Sequence, residues 1–399
     1  MRIGMMTDVY TPYVSGITNY ISLNQRALQA AGHEVCVFTF GEPPLDEADP
    51  TVFRTPGLEL ANTGYHLSLG HSRPIRRRIQ SMDIVHVHHP FLSGRLALRY
   101  CRPAGVPVVF TNHTRYDLYA QYYLPALPDR LGSGLLQAYM PFFCSEVDLT
   151  IAPSRGLLDV LHDMGVASPA KVIPNGVDLT PFRTPLNPVA RAALGVQEEA
   201  LLLVYSGRLG PEKNLATLLR AFAGLHSALP QTSLLLLGDG PERSALEWMT
   251  ENLGLAGSVV FVGMVDYSRI PEYLAACDLF VTASVTEVHP LSIIEALACG
   301  LPVVGIESPG VSDTIQDEVN GLLSWQDLSA FTAQLTRLAI DRPLRLKLAE
   351  GAKQSAQAYD ITHTSRQVLD EYERLVAAPR KQRNPAWRQF SNHLRAAFR

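Results

Sequence analysis

The hydrophobic residues of this chain of 399 residues form short continuous runs, and segments with helical spacing separate these runs. Such runs are typical of strands that are covered on both faces of a sheet. In the first half they predict strands at Arg2–Thr7, Glu34–Phe40, Val52–Thr55, Ile84–His88, Val106–Asn112, Leu149–Pro153 and Lys171–Ile173. Helices are predicted over Ile17–Ala31, which Gly32 terminates, and over Leu131–Ser145.

The second half of the chain repeats this alternation. It predicts strands at Leu201–Ser206, Ser233–Leu237, Val259–Val262, Leu279–Ala283, Val303–Ile306 and Gly321–Leu323. Regular alternation of strands and helices implies parallel sheets with right-handed crossovers, and therefore two doubly wound α/β domains. Pro, Gly and Asn accumulate in Asn175–Leu186. We interpret this segment as the linker between a first domain over residues 1–178 and a second over residues 187–360.

The composition fits two globular domains. Hydrophobic residues make up 47% of the chain and charged residues 18%, and the net charge of −4 gives no reason to expect a nucleic-acid partner. The five cysteines are odd in number and include no CxxC pair, which predicts buried free thiols in a reducing compartment. The chain starts with a strand rather than a signal peptide, and its charge-free stretch Ala221–Gly238 contains Pro230 and several polar residues. Any membrane contact is therefore expected to be peripheral.

Two loops of the first domain are candidates for ligand binding, because ligands of parallel α/β domains lie beyond the carboxyl ends of the strands. Ser15-Gly16 precedes a helix, where a small loop lets backbone N–H groups approach an anion. The alternative is an ordinary strand–helix turn. His113 ends a strand and is expected to face the ligand, unless it is only a satisfied polar group. No acidic partner stands at ligand spacing from the HVHH histidines, His86, His88 and His89. We interpret them as structural or as lining the site, rather than as a metal centre.

The loop after the first strand of the second domain reads SGRLGPEKN. Arg208 and Lys213 lie just before a helix that starts near Asn214, and two cations beside a helix N-terminus suit a diphosphate. The alternative is a solvated surface pair. The following loop, GDGP, is interpreted mainly as a turn.

The segment TEVHPLSIIEALACGLPVV is the most informative in the chain. Glu287 and Glu295 are separated by seven residues, and Pro290 and Leu291 stand where a helix should begin. The segment therefore offers one carboxylate for sugar hydroxyls, helix-start amides for phosphate and a second carboxylate for a ribose diol. The alternative is a pair of carboxylates that only complement the helix dipole.

The chain has no DxD motif of clustered carboxylates for Mg²⁺ or Mn²⁺. A leaving diphosphate would then be neutralised by Arg208, Lys213 and the helix at Pro290. No metal site and no other cofactor are expected.

From Met1 to Ala377 the sequence resembles the family 4 glycosyltransferases. The resemblance is carried by the E-x7-E string with ALACGLPVV, by SGRLGPEKN, by PNGVD and by the GDGP turn. It implies the GT-B architecture, in which two Rossmann-like domains bind a nucleotide-sugar in the cleft between them, and transfer with retained anomeric configuration. It also implies that a helix over residues 361–378 crosses back to the first domain.

The resemblance also implies a role for each matching residue. Arg208 and Lys213 would bind the donor diphosphate, Glu287 would lie by the sugar and Glu295 on the ribose. The backbone amides of Pro290, Leu291 and Ser292 would donate to phosphate, and Gly263-Met264 would border the base. Gly16 would approach the phosphate and His113 would lie beside the transferred sugar. His113, Glu287, Arg208 and Lys213 are the implied catalytic set. The chain departs from the family at Ser15-Gly16, where many members have Gly-Gly.

Two features point to a lipid acceptor. HTRYDLYAQYYLP, PYVSGITNY and TEVHPL are similar to segments of bacterial diacylglycerol glucosyltransferases, which act at membranes. RPIRRR places Arg73, Arg76, Arg77 and Arg78 together. In the tail, residues 379–399, four apolar residues share one helical face and three arginines lie off it: Trp387, Phe390, Leu394 and Phe398 against Arg388, Arg395 and Arg399. This pattern predicts contact with an anionic membrane. The alternative is a solvated basic helix and a disordered tail.

We therefore predict metal-independent, retaining transfer of a hexose to a lipid such as diacylglycerol, at the inner face of the cytoplasmic membrane. UDP-glucose is the first expected donor and GDP-mannose the second. Whether Glu287 acts as a covalent nucleophile is left open. The alternatives are a soluble glycosyltransferase acting on a saccharide or small metabolite, a nucleotide-sugar epimerase, and a non-catalytic binding module.

Overall fold

A computed structural model describes residues 1–13, 15–43, 49–60, 65–118, 129–183 and 187–379, with the backbone alone for residues 129–135. The chain divides into two compact units. Unit 1 comprises Met1–Gly176 and the helix that begins at Ile361, and unit 2 comprises Val177–Asp360. The amphipathic tail beyond Pro379 and part of the HTRYDLYAQYYLP loop lie outside the described residues.

Unit 1 is built on a parallel sheet. Its strands are β1 (Arg2–Met6), β2 (Glu34–Phe40), β3 (Val52–Thr55), β6 (Ile84–Val87), β7 (Val108–Thr111), β8 (Leu149–Ala152) and β9 (Ala170–Val172). They are ordered β3-β2-β1-β6-β7-β8-β9. Ile3 of β1 pairs with Val35 on one side and with Ile84 on the other. Between β3 and β6, the short strands β4 (Leu58–Glu59) and β5 (His66–Leu67) form a separate antiparallel ribbon.

The helices of unit 1 follow its strands along the chain. They are α1 (Gly16–Ala30), α2 (Arg73–Gln80), α3 (Leu92–Ala104), α4 (Asp129–Glu146) and α5 (Arg155–Asp163). Two of them begin at a serine that caps the helix: the Ser15 hydroxyl accepts from the Thr18 N–H at 3.2 Å, and the Ser154 hydroxyl accepts from the Leu157 N–H at 3.2 Å. These bonds satisfy N–H groups that have no acceptor inside the helix.

Unit 2 contains a second parallel sheet. Its strands are β10 (Leu201–Ser206), β11 (Thr232–Leu237), β12 (Val259–Gly263), β13 (Leu279–Thr282), β14 (Val303–Ile306) and β15 (Gly321–Ser324), ordered β12-β11-β10-β13-β14-β15. Its α-helices are α6 (Thr180–Arg183), α7 (Leu215–Ala228), α8 (Arg243–Asn252), α9 (Ile270–Ala275), α10 (Leu291–Ala298), α11 (Pro309–Thr314), α12 (Leu328–Ile340) and α13 (Arg342–Ala356). Short 3₁₀ helices lie at Arg191–Leu194, Pro211–Lys213, Tyr267–Arg269 and Gln357–Tyr359.

Both faces of the unit 2 sheet are covered, as its continuous apolar strands predict. Successive side chains of a strand point to opposite faces. In β10, Leu202 and Val204 belong to one hydrophobic cluster, whereas Leu203 and Tyr205 belong to another. None of these four side chains is more than 3% exposed.

The last described helix, α14 (Ile361–Ala377), completes the core of unit 1. Its Val368, Leu369 and Tyr372 side chains are buried in one cluster with Ile3 and Tyr20. The Tyr372 hydroxyl also lies 2.5 Å from Nδ1 of His86 on β6. A segment distant in sequence is therefore held to the sheet by apolar packing and by a buried hydrogen bond.

The predicted fold class, two doubly wound α/β domains, is confirmed. Strand ends differ from prediction by a residue or two, for example at β7, which begins at Val108 rather than Val106. The N–H of Val106 instead donates to the Cys101 carbonyl and closes helix α3. The β4–β5 ribbon has no counterpart in the predicted strands.

Cys36, Cys101, Cys144 and Cys277 are buried free thiols, and Cys299 is partly buried. No helix among the described residues is long and apolar enough to cross a membrane.

Candidate functional site

The strand order of unit 2 defines a crevice at one edge of its sheet. β10 has β11 on one side and β13 on the other. The chain adds β11 and β12 on one side of β10 and then crosses to add β13, β14 and β15 on the other side. In doubly wound sheets the carboxyl ends at such a switch point form the usual ligand site. The loop after β10 carries Arg208 and Lys213, and the loop after β13 carries Glu287 and leads into α10.

Lys213 and Glu287 form an ion pair at this switch point. Nζ of Lys213 donates to Oε1 of Glu287 at 2.6 Å, and the two side chains are 22% and 18% exposed. Burial opposes ionisation of the carboxyl group, but the charge of Lys213 and hydrogen bonds from Lys213 and Ser284 outweigh it. The pKa of Glu287 therefore lies below its ordinary value. The site thus holds a carboxylate and an ammonium group in mutual contact.

Side chains of each loop position this pair by donating hydrogen bonds to backbone carbonyls of the other loop. The Asn214 amide donates to the Ala283 carbonyl at 3.1 Å, and the Thr286 hydroxyl donates to the Glu212 carbonyl at 3.1 Å. Asn214 adopts a left-handed conformation with a φ of 53°, which asparagine tolerates better than most residues. The residues on either side of Lys213 and Glu287 are therefore tied together.

Glycines let the loops after β10 and β11 meet backbone to backbone. Gly207 and Gly238 have φ values of 154° and 130°, which favour glycine. A Cβ atom on Gly238 would lie 2.0 Å from the Gly207 carbonyl oxygen, and one on Gly240 would lie 2.4 Å from that of Leu209. The GDGP turn is thus the surface on which the Arg208 loop rests, and the Arg208 side chain is exposed.

Helix α10 begins at Leu291 as predicted, with Pro290 as its N-cap residue and no side-chain capping bond. The prediction that Pro290 contributes a backbone donor is wrong, because proline has no N–H. Leu291 and Ser292 carry the first N–H groups of the helix, which find no acceptor within it. Sequence reasoning missed Gly310, whose N–H donates to the Glu287 carbonyl at 3.2 Å. A Cβ atom there would lie 2.4 Å from that oxygen.

Glu295 occupies a different environment from Glu287. Its side chain is 5% exposed and accepts a hydrogen bond from the Tyr267 hydroxyl at 2.9 Å. Burial raises the pKa of Glu295 to about 7, although the bond from Tyr267 acts in the opposite direction. Of the two carboxyl groups in the E-x7-E string, one is held ionised and the other titrates near neutrality.

Gly263 and Met264 lie farther along the same sheet edge. Gly263 ends β12 and Met264 follows it, and β11 and β10 stand between that strand and β13. Gly263 has a φ of 84°, and its carbonyl accepts from the Gly238 N–H at 2.9 Å. Met264 is 67% exposed. The glycine loops thus form a continuous connection from the Met264 end of the edge to Arg208.

In unit 1 the corresponding switch point lies between β1 and β6. Ser15 caps α1, and the Thr18 hydroxyl oxygen accepts from the Ser15 N–H at 2.8 Å. The departure from Gly-Gly therefore supplies a capping box. Gly16 opens the helix and is exposed. No atom of the described residues comes within 4 Å of an ideal Cβ placed on Gly16. Protein packing there does not require a glycine.

His113 follows β7 and contacts buried aromatic residues. Its Nε2 lies 3.1 Å from Nδ1 of His88, and the Tyr20 ring meets it edge-on with a centroid separation of 4.7 Å. Burial, with nearby His86 and His89, lowers the pKa of His113 well below its ordinary value. Sequence reasoning missed the partnership with His88. A signal was present, because His88 directly follows β6 and His113 follows β7, and these neighbouring parallel strands end at the same sheet edge.

The other histidines of HVHH are hydrogen-bonded within unit 1. His86 contacts Tyr372 on one nitrogen and the Thr111 hydroxyl on the other, at 2.7 Å. Nδ1 of His89 accepts from the Asp8 N–H at 3.2 Å. The Asp8 carboxylate in turn accepts from the Ser93 N–H at 2.6 Å, in the first turn of α3. Within the described ranges, no group of three or more His, Cys, Asp or Glu side chains could hold a metal ion.

Two family profiles match the chain along most of its length. The profile described as Glycosyltransferase Family 4 matches residues 14–181, and the profile described as Glycosyl transferases group 1 matches residues 187–355. An alpha-monoglucosyldiacylglycerol synthase of Streptococcus pneumoniae is 31% identical over 338 residues, 81% of this chain and 75% of the relative. A D-inositol 3-phosphate glycosyltransferase of Saccharomonospora viridis is 29% identical over 407 residues, 92% of this chain and 91% of the relative.

Among solved structures, Anabaena HepE in complex with UDP and glucose superimposes with a TM-score of 0.75 at 21% identity. The match covers 94% of this chain and 100% of that chain. This likeness shows that the chain shares the GT-B fold, with two Rossmann-like domains. The chain belongs to the family 4 glycosyltransferases and is a hexosyltransferase.

Proposed function

We propose that this enzyme transfers a hexose from a nucleotide-sugar to a lipid acceptor, with retained anomeric configuration and without a metal ion. UDP-glucose is the proposed donor and diacylglycerol the proposed acceptor. The name of the pneumococcal relative supports the acceptor class, and the ligands of Anabaena HepE support the donor.

The observation that carries the proposal is the Lys213–Glu287 pair beside the start of α10, at the switch point of the unit 2 sheet. A diphosphate needs positive charge, and a hexose needs hydroxyl acceptors. The ammonium group of Lys213 and the N–H groups of Leu291 and Ser292 supply the first, and the Glu287 carboxylate supplies the second.

Other residues of unit 2 are proposed to contact the remaining parts of the donor. Arg208 is proposed to contact the diphosphate from the loop that Gly238 and Gly240 support. Glu295, which lies deeper than Glu287, is proposed to accept hydrogen bonds from the ribose hydroxyls, and Gly263-Met264 to border the base. In unit 1, Gly16 is proposed to approach the phosphate and His113 to contact the transferred sugar.

The chemistry of this proposal is a substitution at the anomeric carbon. The bond from that carbon to the diphosphate oxygen breaks, and a bond to the acceptor hydroxyl oxygen forms on the same face. The hydroxyl proton passes to a phosphate oxygen of the leaving group. Arg208, Lys213 and the α10 amides stabilise the charge that develops on the diphosphate. Glu287 is held as an anion by Lys213, and this suits it to stabilise positive charge on the sugar ring.

Replacing the cations tests the proposal. Lys213→Ala and Arg208→Ala should each lower kcat by about 100-fold to 1,000-fold, because each removes a group that stabilises the leaving diphosphate. Lys347→Ala, which removes an exposed lysine of α13, is the matched control and should leave turnover unchanged. Product formation from UDP-glucose and diacylglycerol would be followed by mass spectrometry, with and without EDTA. Near-normal turnover in both variants, or complete loss of activity in EDTA, would contradict the proposal.

A second candidate acceptor has its own support. The Saccharomonospora viridis relative is named for transfer to D-inositol 3-phosphate and matches 92% of this chain. The same donor chemistry would then serve a soluble phosphorylated polyol. An acceptor panel that includes diacylglycerol and inositol 3-phosphate separates the two, since the donor site is common to both and only the product mass differs.

A further inference from the structure

The β4–β5 ribbon of unit 1 carries a group of exposed leucines. Leu58 and Leu67 are directly opposite each other in the ribbon and are 73% and 56% exposed. Leu60 and Leu69, two residues farther along the chain, are 41% and 101% exposed. Residues two apart in an extended strand share a face, as do directly opposed residues. The Leu60 N–H donates to the Tyr65 carbonyl at 2.8 Å and continues the ribbon, so Leu58, Leu60 and Leu67 share one face. Leu69 adds an exposed side chain at the bend just after β5, and we call these four residues the leucine face.

The opposite face of the ribbon lies against the body of unit 1. His66 pairs with Glu59 on this side, and a Cβ atom placed on Gly41 would lie 2.8 Å from the His66 ring. Gly41 follows β2, so the His66 side packs on the sheet. The exposed Leu58 and Leu67 side chains consequently point away from unit 1, whereas Tyr65, beyond Leu67 on the same face, contacts unit 1 through its hydroxyl. A single exposed leucine is ordinary, but four grouped on one ribbon and the bend after it mark an interaction surface.

A group of arginines adjoins the leucine face. The ribbon leads directly into α2, where Arg73, Arg76 and Arg77 are exposed and Arg78 pairs with Glu34. The Tyr100 hydroxyl accepts from the His71 N–H at 3.2 Å, and the Arg76 guanidinium lies over the Tyr100 ring, 5.7 Å from its centroid. Tyr100 thus joins the end of the ribbon to the basic helix.

The ribbon is also anchored to the carboxyl edge of the unit 1 sheet. The Tyr65 hydroxyl lies 3.3 Å from Nε2 of His89, and Nδ1 of the same ring accepts from the Asp8 N–H. Asp8 belongs to the loop that follows β1 and precedes Gly16. The leucine face therefore stands on the same edge as the unit 1 residues assigned to the reaction.

We propose that the leucine face enters the interfacial layer of a membrane that contains anionic lipids, while the exposed arginines of α2 bind the headgroups. This inference rests on the proposed function, because it supplies the surface from which a lipid acceptor would be drawn. A second copy of the chain is a poorer occupant. A two-fold contact would place the patch against itself and bring the arginines of both copies together. An anionic bilayer accepts the leucines and neutralises the cations.

Vesicle binding by the full-length protein tests the inference. The triple variant Leu58→Ser, Leu67→Ser, Leu69→Ser should bind vesicles of phosphatidylcholine and phosphatidylglycerol at least about tenfold more weakly than the unsubstituted chain, because burial of apolar side chains is lost. Its thermal stability should not change, since all three side chains are exposed. The matched control is Leu253→Ser, Leu328→Ser, Leu346→Ser in unit 2, where the leucines are 36%, 40% and 59% exposed.

A fluorophore attached to the ribbon reports membrane contact at that position directly. Membrane contact made by the tail does not change its signal. An environment-sensitive dye on Leu67→Cys should shift to the blue on mixed vesicles and much less on phosphatidylcholine alone. The same dye on Leu346→Cys should not shift. Equal vesicle binding by both triple variants, or no shift at position 67, would overturn the inference. The inference would also be overturned if the unsubstituted chain were a dimer and the variant with three ribbon substitutions, here called the ribbon variant, were a monomer that binds vesicles equally well.

The enzymatic readout separates this inference from the proposed function. The ribbon variant should transfer sugar normally to a short-chain diacylglycerol dispersed in detergent, and should lose transfer to acceptor embedded in vesicles. If the unsubstituted chain transfers to neither acceptor, the lipid function is wrong, and the vesicle measurements still decide the inference. Equal transfer by both proteins to embedded acceptor would contradict the inference and leave the function standing.

Discussion

Glu295 shows how a single residue links burial to pH dependence. Its pKa is raised to about 7 in the folded chain from an ordinary value of 4.5. Between these two values the folded state binds more protons than the unfolded state. The stability that the neutral carboxyl contributes is therefore present below the ordinary value and is lost as pH rises through about 7.

This sign predicts the behaviour of Glu295→Gln, which stays neutral at every pH. Relative to the unsubstituted chain, the variant should gain about 3 kcal/mol of unfolding free energy between about pH 4.5 and pH 8, from a shift of about 2.5 units at 1.36 kcal/mol each. Urea denaturation without donor at both pH values measures the change. Glu251→Gln, on the surface of α8, is the control and should show no such trend. A pH-independent difference for Glu295→Gln would contradict the raised pKa.

Gly16 allows a second test at the residue scale, because its role can be separated from folding. Nothing in the described part of the chain lies within 4 Å of an ideal Cβ on this residue. Gly16→Ala should therefore leave stability unchanged or raise it by up to about 1 kcal/mol. Turnover should still fall by about 100-fold if a phosphate group must approach the backbone there. Calorimetry and steady-state kinetics on one preparation give both values, and unchanged turnover would remove Gly16 from the site.

At the scale of elements, most strands and helices could be predicted because their burial pattern is local. β10 and β14 have their predicted bounds, since each is a continuous apolar run covered on both faces. The β4–β5 ribbon was missed because its strands are short and its leucines face solvent, so alternation there does not signal a core.

In the site, Glu287, Glu295 and the start of α10 are close together in sequence and could be predicted as a group. The partners Tyr267, His88 and Gly310 come from other segments, and only the fold brings them close.

The turn at Gly238 is an element whose function depends on close backbone contact. Gly238→Ala would combine an unfavourable φ of 130° with a Cβ atom 2.0 Å from the Gly207 carbonyl oxygen. Gly254→Ala has a φ of 70°, in the left-handed region that other residues reach at lower cost, and no described atom within 4 Å, so it measures a positive φ without a clash. The first variant should lose about 3 kcal/mol more than the second. It should also lose turnover, because the Arg208 loop must move. Equal melting temperatures in calorimetry would refute this account of the turn.

At the scale of the whole molecule, α14 makes unit 1 discontinuous in sequence. Removing the chain from Ile361 onward should expose Ile3 and Tyr20 and selectively destabilise unit 1. Hydrogen exchange should then show lost protection in β1 and β6 but retained protection in β10 and β11. A chain ending at Pro379, which keeps the whole helix, is the control and should behave like the full-length protein. Equal protection of β1 in both truncated chains would show that α14 is dispensable.

The bond between His86 and Tyr372 spans 286 positions of sequence. During synthesis, the strands of unit 1 leave the ribosome long before the helix that covers them, whereas unit 2 is continuous from Val177 to Asp360. The second unit can therefore finish folding while the first still displays an open apolar surface around Ile3 and Tyr20. A nascent chain arrested just before Ile361 should bind a hydrophobic-surface chaperone through its amino-terminal half, and release should coincide with the emergence of Tyr372.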